Sequence, residues 1–169
     1  METASVLETP EFVPTLRREP WDTSAPARPA LVERLPFRIC VVHGGEALHK
    51  AVQIRHRADA RHVPELAQAL REPETDDDDG DTMILLAESR LDGAPVGTIR
   101  VQSNRYRPLG VEHSVVLPAR LRGECMVEAT RLAVAEGRTG RMVKATLIKA
   151  LYLYCLQANI AWVVAGARP

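Results

Sequence analysis

The sequence predicts an α/β domain with a mixed central sheet flanked by helices. Apolar runs of strand length alternate with segments of helical period, in the order β-α-β-β-β-α-β. Two of the runs flank Leu91-Asp92-Gly93, a turn sequence that makes them a hairpin. The last run, residues 160–167, has no polar alternation, as expected of a strand covered on both faces.

Residues 1–36 hold six prolines (Pro10, Pro14, Pro20, Pro26, Pro29 and Pro36) and no sustained periodicity, so they are expected to be a flexible leader. The domain proper is expected over residues 37–169. It opens with "FRICVV" (37–42), a short strand ended by Gly44-Gly45. A helix follows over 46–70, with a break near Pro64. "REPETDDDDGD" (71–81) carries seven acids in eleven residues and is expected to be an exposed loop. "TMILLAESR" (82–90) and "APVGTIRVQSN" (94–104) are the hairpin strands. A polar connection with Pro108 and Pro118 leads to a strand at 125–134. "EGRTGR" (136–141) is expected to turn into the helix "MVKATLIKALYLYCLQAN", where Val143, Leu147, Leu151 and Tyr154 form one apolar face. Asn159 ends that helix before the strand 160–167. Because such a strand needs cover on its faces and edges, the sequence is expected to be a fragment lacking its C-terminal part.

Composition excludes several classes. Apolar residues make up 46% and charged residues 26% of 169 residues, the profile of an ordinary globular domain. Lys+Arg and Asp+Glu both total 22, so the chain lacks the basic excess of a nucleic-acid binder. Cys40, Cys125 and Cys155 form no CxxC pair and read as small buried hydrophobes, not as a disulfide framework or a zinc site. With no secretory pattern at the N-terminus and no apolar stretch of about 18 residues, a cytoplasmic protein without a membrane span is expected. His43, His49, His56, His62 and His113 fall in no nucleophile or metal motif, and GxSxG, P-loop and HExxH elements are absent from the sequence.

Four features invite chemistry. In "MVEATRLAV" (126–134), strict alternation puts Glu128 with Met126, Thr130 and Leu132 on one face, and Arg131 with Val127, Ala129 and Ala133 on the other. Each charge interrupts an apolar row, and a charge buried there needs an ionic partner or an aqueous cleft. "DDDDGD" lacks EF-hand spacing and a distant bidentate Glu, which leaves a solvated charge run as its plain interpretation. "GRTGR" ahead of a helix offers N–H groups with Arg138 and Arg141 for a phosphate, or serves as a turn. Arg55, Arg57 and Arg61 are surface charge, or pair with the acidic loop.

Taken in order, "DDDDGDTMILLA", "GAPVGTIRV" and "VEATRLAV" resemble the motif series of the N-acyl amino acid synthases and the acyl-homoserine lactone (autoinducer) synthases, both GNAT-like acyltransferases. "WVVAGARP" is similar to the strand that follows the long helix in the N-acyl amino acid group. By position, Arg55 matches that family's helix arginine, Asp76 and Asp79 its acidic pair, Arg100 its second arginine, and Glu128 and Arg131 its last pair. The chain departs from the pattern at Asp59, where an aromatic residue is usual, and at His56, often Tyr.

The resemblance implies a GNAT-like fold and transfer of a long-chain acyl group from a thioester, on acyl carrier protein or coenzyme A, to an amino acid's amine, with no tightly bound cofactor. The implied base is Glu128, with Arg100 and Arg131 beside it. Arg55, Asp76 and Asp79 would bind the acceptor, and Arg138, Gly140 and Arg141 the donor's phosphates. An autoinducer synthase and a non-catalytic carrier-binding remnant are the alternatives.

Overall fold

The computed structural model describes residues 35–62 and 71–166. The leader up to residue 34 and the expected break at Pro64 lie outside these. The elements are β1 (Phe37–Val41), α1 (Gly45–His62), β2 (Thr82–Ser89), β3 (Pro95–Ser103), α2 (Gly110–Ser114), β4 (Met126–Val134), α3 (Gly137–Gln157) and β5 (Trp162–Val164). The strands form one sheet in the order β1-β2-β3-β4-β5, antiparallel except for the parallel β4–β5 pair. A parallel pair needs a crossover, and α3 supplies it.

Both faces of the sheet are covered, which explains the unbroken apolar run in β2. Ile84 and Leu86 pack under α1, against Leu48, Ala51 and Val52. Leu85 and Ala87, one residue out of phase, pack under α3, against Val143, Leu147 and Leu151. Ile99, Val101 and Val127 extend the α3-side core. Their sequence neighbours Arg100, Gln102 and Glu128 therefore belong to the α1 side, where Arg100 pairs with Ile84 across the β2–β3 ladder.

Two irregularities in β4 shape the region. Thr98 pairs with Ala133 while Arg100 pairs with Thr130, so β4 carries one extra residue opposite Ile99. Arg131 falls in this bulge with φ of +53°. The second irregularity is the edge: β5 pairs only with Met126, Val127 and Glu128, and β4 continues to Val134 paired with β3 but without β5.

Other expectations are corrected by packing. The acidic segment is not wholly exposed, because a 3-10 turn at Thr75–Asp77 buries Asp77. The final strand is three residues long, with Trp162 and Val163 exposed rather than buried. Cys155 is buried, Cys40 and Cys125 are half-buried, and all are free thiols. Among the described residues no helix is long and apolar enough to cross a membrane.

The α3 helix begins at Gly137, inside the expected turn, and Gly140 is buried in its first turn. A Cβ at Gly140 would run into the Ala135 carbonyl, which is backbone and has no rotamer to yield. Gly140→Ala is expected to lose about 1–3 kcal/mol of stability in urea denaturation, the usual cost of overpacking. Arg141→Ala, an exposed change one residue on, is expected to stay within about 0.5 kcal/mol.

Candidate active site

The α1 helix sets the site. Its buried stripe runs Leu48, Ala51, Val52, Arg55, Ala58, the spacing of a core-facing helix with an arginine in the middle. Arg55 is 2% exposed. Its Nη1 donates to both carboxylate oxygens of Asp77 at 2.8 Å. Burial pulls the Arg55 guanidinium below its ordinary pKa, while Asp77 opposes the shift. Nε and Nη2 of Arg55 are buried with no protein acceptor among the described residues.

Asp77 is placed by its own turn, since its Oδ2 accepts from the Glu74 backbone N–H at 3.0 Å. Glu74 then binds the sheet. Arg131 donates to it through Nε (2.7 Å) and Nη2 (2.6 Å), a bidentate pair. Arg100 Nη1 donates to Glu74 (3.2 Å) and Asp77 (3.4 Å), and Arg100 Nε to Thr130 Oγ1 (3.1 Å). The Arg131 hydrogen bond, helped by Arg100, holds the Glu74 carboxyl below its ordinary range against the effect of burial.

Two expectations change here. Strict alternation separates Arg131 from Glu128, but the extra residue in β4 brings Arg131 to the same charged cluster as Arg100. The acids meeting Arg55 and Arg100 most closely are Asp77 and Glu74, not the expected Asp76 and Asp79. Asp76 lies 3.9 Å from Arg100 Nη2, and both Asp76 and Asp79 pair with Arg107. Sequence reasoning missed Glu74, Asp77 and Arg107. Glu74 and Asp77 stand three apart in an acid-capped turn, the one signal that marked them. Arg61 pairs with Glu136 at 3.2 Å, and Arg57 is exposed.

Glu128 is buried, and its Oε2 accepts from the Val111 N–H at 3.2 Å. Gly110 fits closely against it, since a Cβ there would lie 3.3 Å from Oε2. Glu128 is also the last β4 residue paired with β5. Where that pairing stops, a cavity of about 630 Å³ opens between the strands. Residues from both sides of the sheet line it: Arg55 and Asp59 from α1, Ile148 and Leu151 from α3, with Glu128, Thr130 and Arg131 from β4. It is polar toward α1 and apolar toward α3, a division suited to a substrate with a charged head and a hydrocarbon part. Arg138, Gly140 and Arg141 lie at the start of α3 and do not line it.

Asp77→Asn is expected to destabilise the fold by about 3–5 kcal/mol, because it strands the buried Arg55 charge. Asp76→Asn, half-exposed, should stay within about 0.5 kcal/mol in the same urea titration. A carboxyl with a depressed folded pKa contributes stability above the unfolded value, about 4.3 for Glu, and that stability is lost as pH falls through the folded value. The urea midpoint is therefore expected to fall on acidification below about pH 4.3. Glu74→Gln should lower the midpoint at neutral pH and make this acid limb shallower.

The profile of the family described as N-acyl amino acid synthase FeeM matches residues 37–169. No curated protein matches the sequence. Among solved structures, FeeM, an N-acyl amino acid synthase from uncultured soil microbes, aligns at 15% identity and a TM-score of 0.56, over 79% of this chain and 72% of FeeM. A GCN5-related N-acetyltransferase from Ralstonia eutropha aligns at 15% identity and 0.52, over 78% and 83% of the two chains. A predicted acetyltransferase from Clostridium acetobutylicum, solved with acetyl-CoA, aligns at 12% and 0.53, over 78% and 80%. The chain belongs to the N-acyl amino acid synthase FeeM family, and it is an acyltransferase with the GCN5-related N-acetyltransferase fold.

Proposed function

We propose that this protein transfers a long-chain acyl group from an acyl-carrier-protein or coenzyme A thioester to the amine of an amino acid, giving an N-acyl amino acid. The observation that carries this is Glu128, a buried carboxylate bordering a two-sided cavity at the point where β4 and β5 part. Only one of its oxygens is engaged by the described residues, Oε2 by the Val111 N–H. That leaves Oε1 to receive a proton.

Chemistry then follows from position. An α-ammonium has a pKa of about 7.7–8.0 and attacks only after losing a proton. Glu128 takes that proton as general base, directly or through water. The amine nitrogen bonds to the thioester carbon, the C–S bond breaks, and the second proton of the acylated nitrogen passes to the departing thiolate. No covalent enzyme intermediate is needed, which suits a site without a nucleophile motif. The carbonyl oxygen, negative in the tetrahedral intermediate, is received by backbone N–H groups on the β4 edge beyond Glu128, unpaired with β5.

Acceptor and donor approach from opposite faces. The amine enters from the α1 side, among Arg55, Asp59 and Glu128. The acyl chain lies toward α3, against Ile148, Leu151 and Val163. Arg100 and Arg131 act as positioning residues through Glu74 and Asp77, and Asp76 and Asp79 steady the acidic turn through Arg107. The donor's phosphate, on phosphopantetheine or coenzyme A, sits at the start of α3, where Arg138 and Arg141 are exposed beside the helix N–H groups. Gly140 keeps that turn packed on Ala135. The protein works in the cytoplasm, where both carriers occur.

Purified protein is expected to form N-acyl amino acids from a long-chain acyl thioester and amino acids, detected by mass spectrometry. Glu128→Gln should lower kcat by roughly 10²–10⁴, with unchanged KM for the thioester and an unchanged circular dichroism spectrum. Full turnover in the variant would remove Glu128 from the role of base.

A further inference from the structure

Four charged side chains line the cavity, and three of them are engaged. Arg55 is bound by Asp77, Arg131 by Glu74, and Glu128 accepts from the Val111 N–H. Asp59, half-buried on α1, has neither an ion pair nor a hydrogen bond among the described residues. Its field reaches Arg131, whose guanidinium is raised above its ordinary pKa chiefly by the Glu74 hydrogen bond and in smaller part by Asp59. Arg131 is nevertheless spent on Glu74. The charges around the cavity therefore do not balance. Arg55, Arg100 and Arg131 are three guanidinium groups, against the four carboxylates of Asp59, Glu74, Asp77 and Glu128. Asp76 and Asp79, which share Arg107, add to the excess. An unmatched, half-buried carboxylate favours a cation beside it.

Asp59 also stands at a junction. A second hollow, of about 360 Å³, borders Asp59, Leu132 and Ala133, which line the main cavity too. Ala58, Val134 and Ala135 give it further apolar wall. Arg61 and Glu136 border only this second hollow, and Arg61 is taken by Glu136 at 3.2 Å and by the Val134 carbonyl at 3.1 Å. A hydrocarbon stem ending in a positive charge suits that junction, with its methylenes on Leu132 and Ala133 and its charge on Asp59.

We infer that Asp59 is a specificity residue that selects acceptors with a second cationic group, namely amino acids with a basic side chain. The side-chain cation rests on Asp59 while the α-amine faces Glu128. This rests on the acyl-transfer activity proposed above and names the side chain that the site prefers. Ionisation keeps the two nitrogens apart: an α-ammonium, with a pKa of about 7.7–8.0, yields its proton to Glu128, whereas a lysine side chain, at about 10.4, stays charged and anchored. Acylation therefore falls on the α-nitrogen. The chain departs from its family's motif series at Asp59, so this contact is not inherited from that series.

The test uses the full-length protein with one long-chain acyl thioester and two matched acceptor pairs, lysine with norleucine and arginine with citrulline. Each pair differs in side-chain charge at similar length. The wild type is expected to favour the charged member in kcat/KM by roughly tenfold or more, the worth of a hydrogen bond to a charged group, and to place the acyl group on the α-nitrogen by fragmentation mass spectrometry. Asp59→Asn removes the charge at constant shape from a side chain without an ion pair, so it should fold normally and bring each pair close to parity, chiefly through KM for lysine and arginine. Equal use of both members by the wild type would overturn the inference and leave acyl transfer standing. So would a preference that survives in Asp59→Asn, or acylation at the side-chain nitrogen. Failure to acylate any of the four would instead refute the activity beneath it. If the variant does not fold, the wild-type pairs and the position of the acyl group still decide the matter.

Discussion

The ion pair between Arg55 and Asp77 is the constraint around which this domain is arranged. A guanidinium in the apolar stripe of a helix is tolerable only if a carboxylate reaches it, and a surface acid cannot do so from an extended loop. The 3-10 turn at Thr75–Asp77 solves this by folding the acidic segment inward. The pair then fixes the turn against α1, and Glu74 of the same turn fixes it against β3 and β4 through Arg100 and Arg131. Removing one partner leaves a charge in low dielectric, so breaking such a pair costs more than the pair itself contributes. Helix, loop and sheet are thereby locked into one body on the side where the acceptor is expected.

The sheet contributes a different constraint. Alternation along β3 and β4 sends Ile99, Val101 and Val127 into the α3-side core and Arg100, Gln102 and Glu128 to the other face. Charge and hydrocarbon are thus sorted by the period of the strand. At the parting of β4 and β5 the sorting ends, because one opening is bordered by both faces. A polar head and an apolar chain can meet there without either crossing a layer of the wrong polarity. The open β4 edge also supplies backbone donors that a fully paired strand would not have.

Much of this was legible in the sequence. The order of strands and helices, the hairpin at Leu91-Asp92-Gly93, the crossover helix and its Val143, Leu147 and Leu151 stripe all rest on local periodicity, which sequence carries directly. Arg55 and Glu128, singled out from the motif series, border one cavity. What was not legible was non-local. The identity of the buried acid within a run of aspartates depends on the turn that the run adopts against α1, so Asp77 looked no different from Asp76. The bulge depends on pairing with β3, so alternation alone sent Arg131 to the wrong face. The close approach of Gly140 to the Ala135 carbonyl was likewise invisible without the fold.

Arg131 illustrates how such a site limits its own drift. Its backbone sits at φ +53°, a conformation that glycine or asparagine adopts with least cost. Its side chain forms a two-pronged bond to Glu74 that only arginine can make. The two demands favour different residues, so replacing the arginine by glycine or asparagine eases the backbone and forfeits the paired bond. A substitution here leaves the Glu74 carboxylate without its two-pronged partner and the bulge of β4 without its tie to the acidic turn.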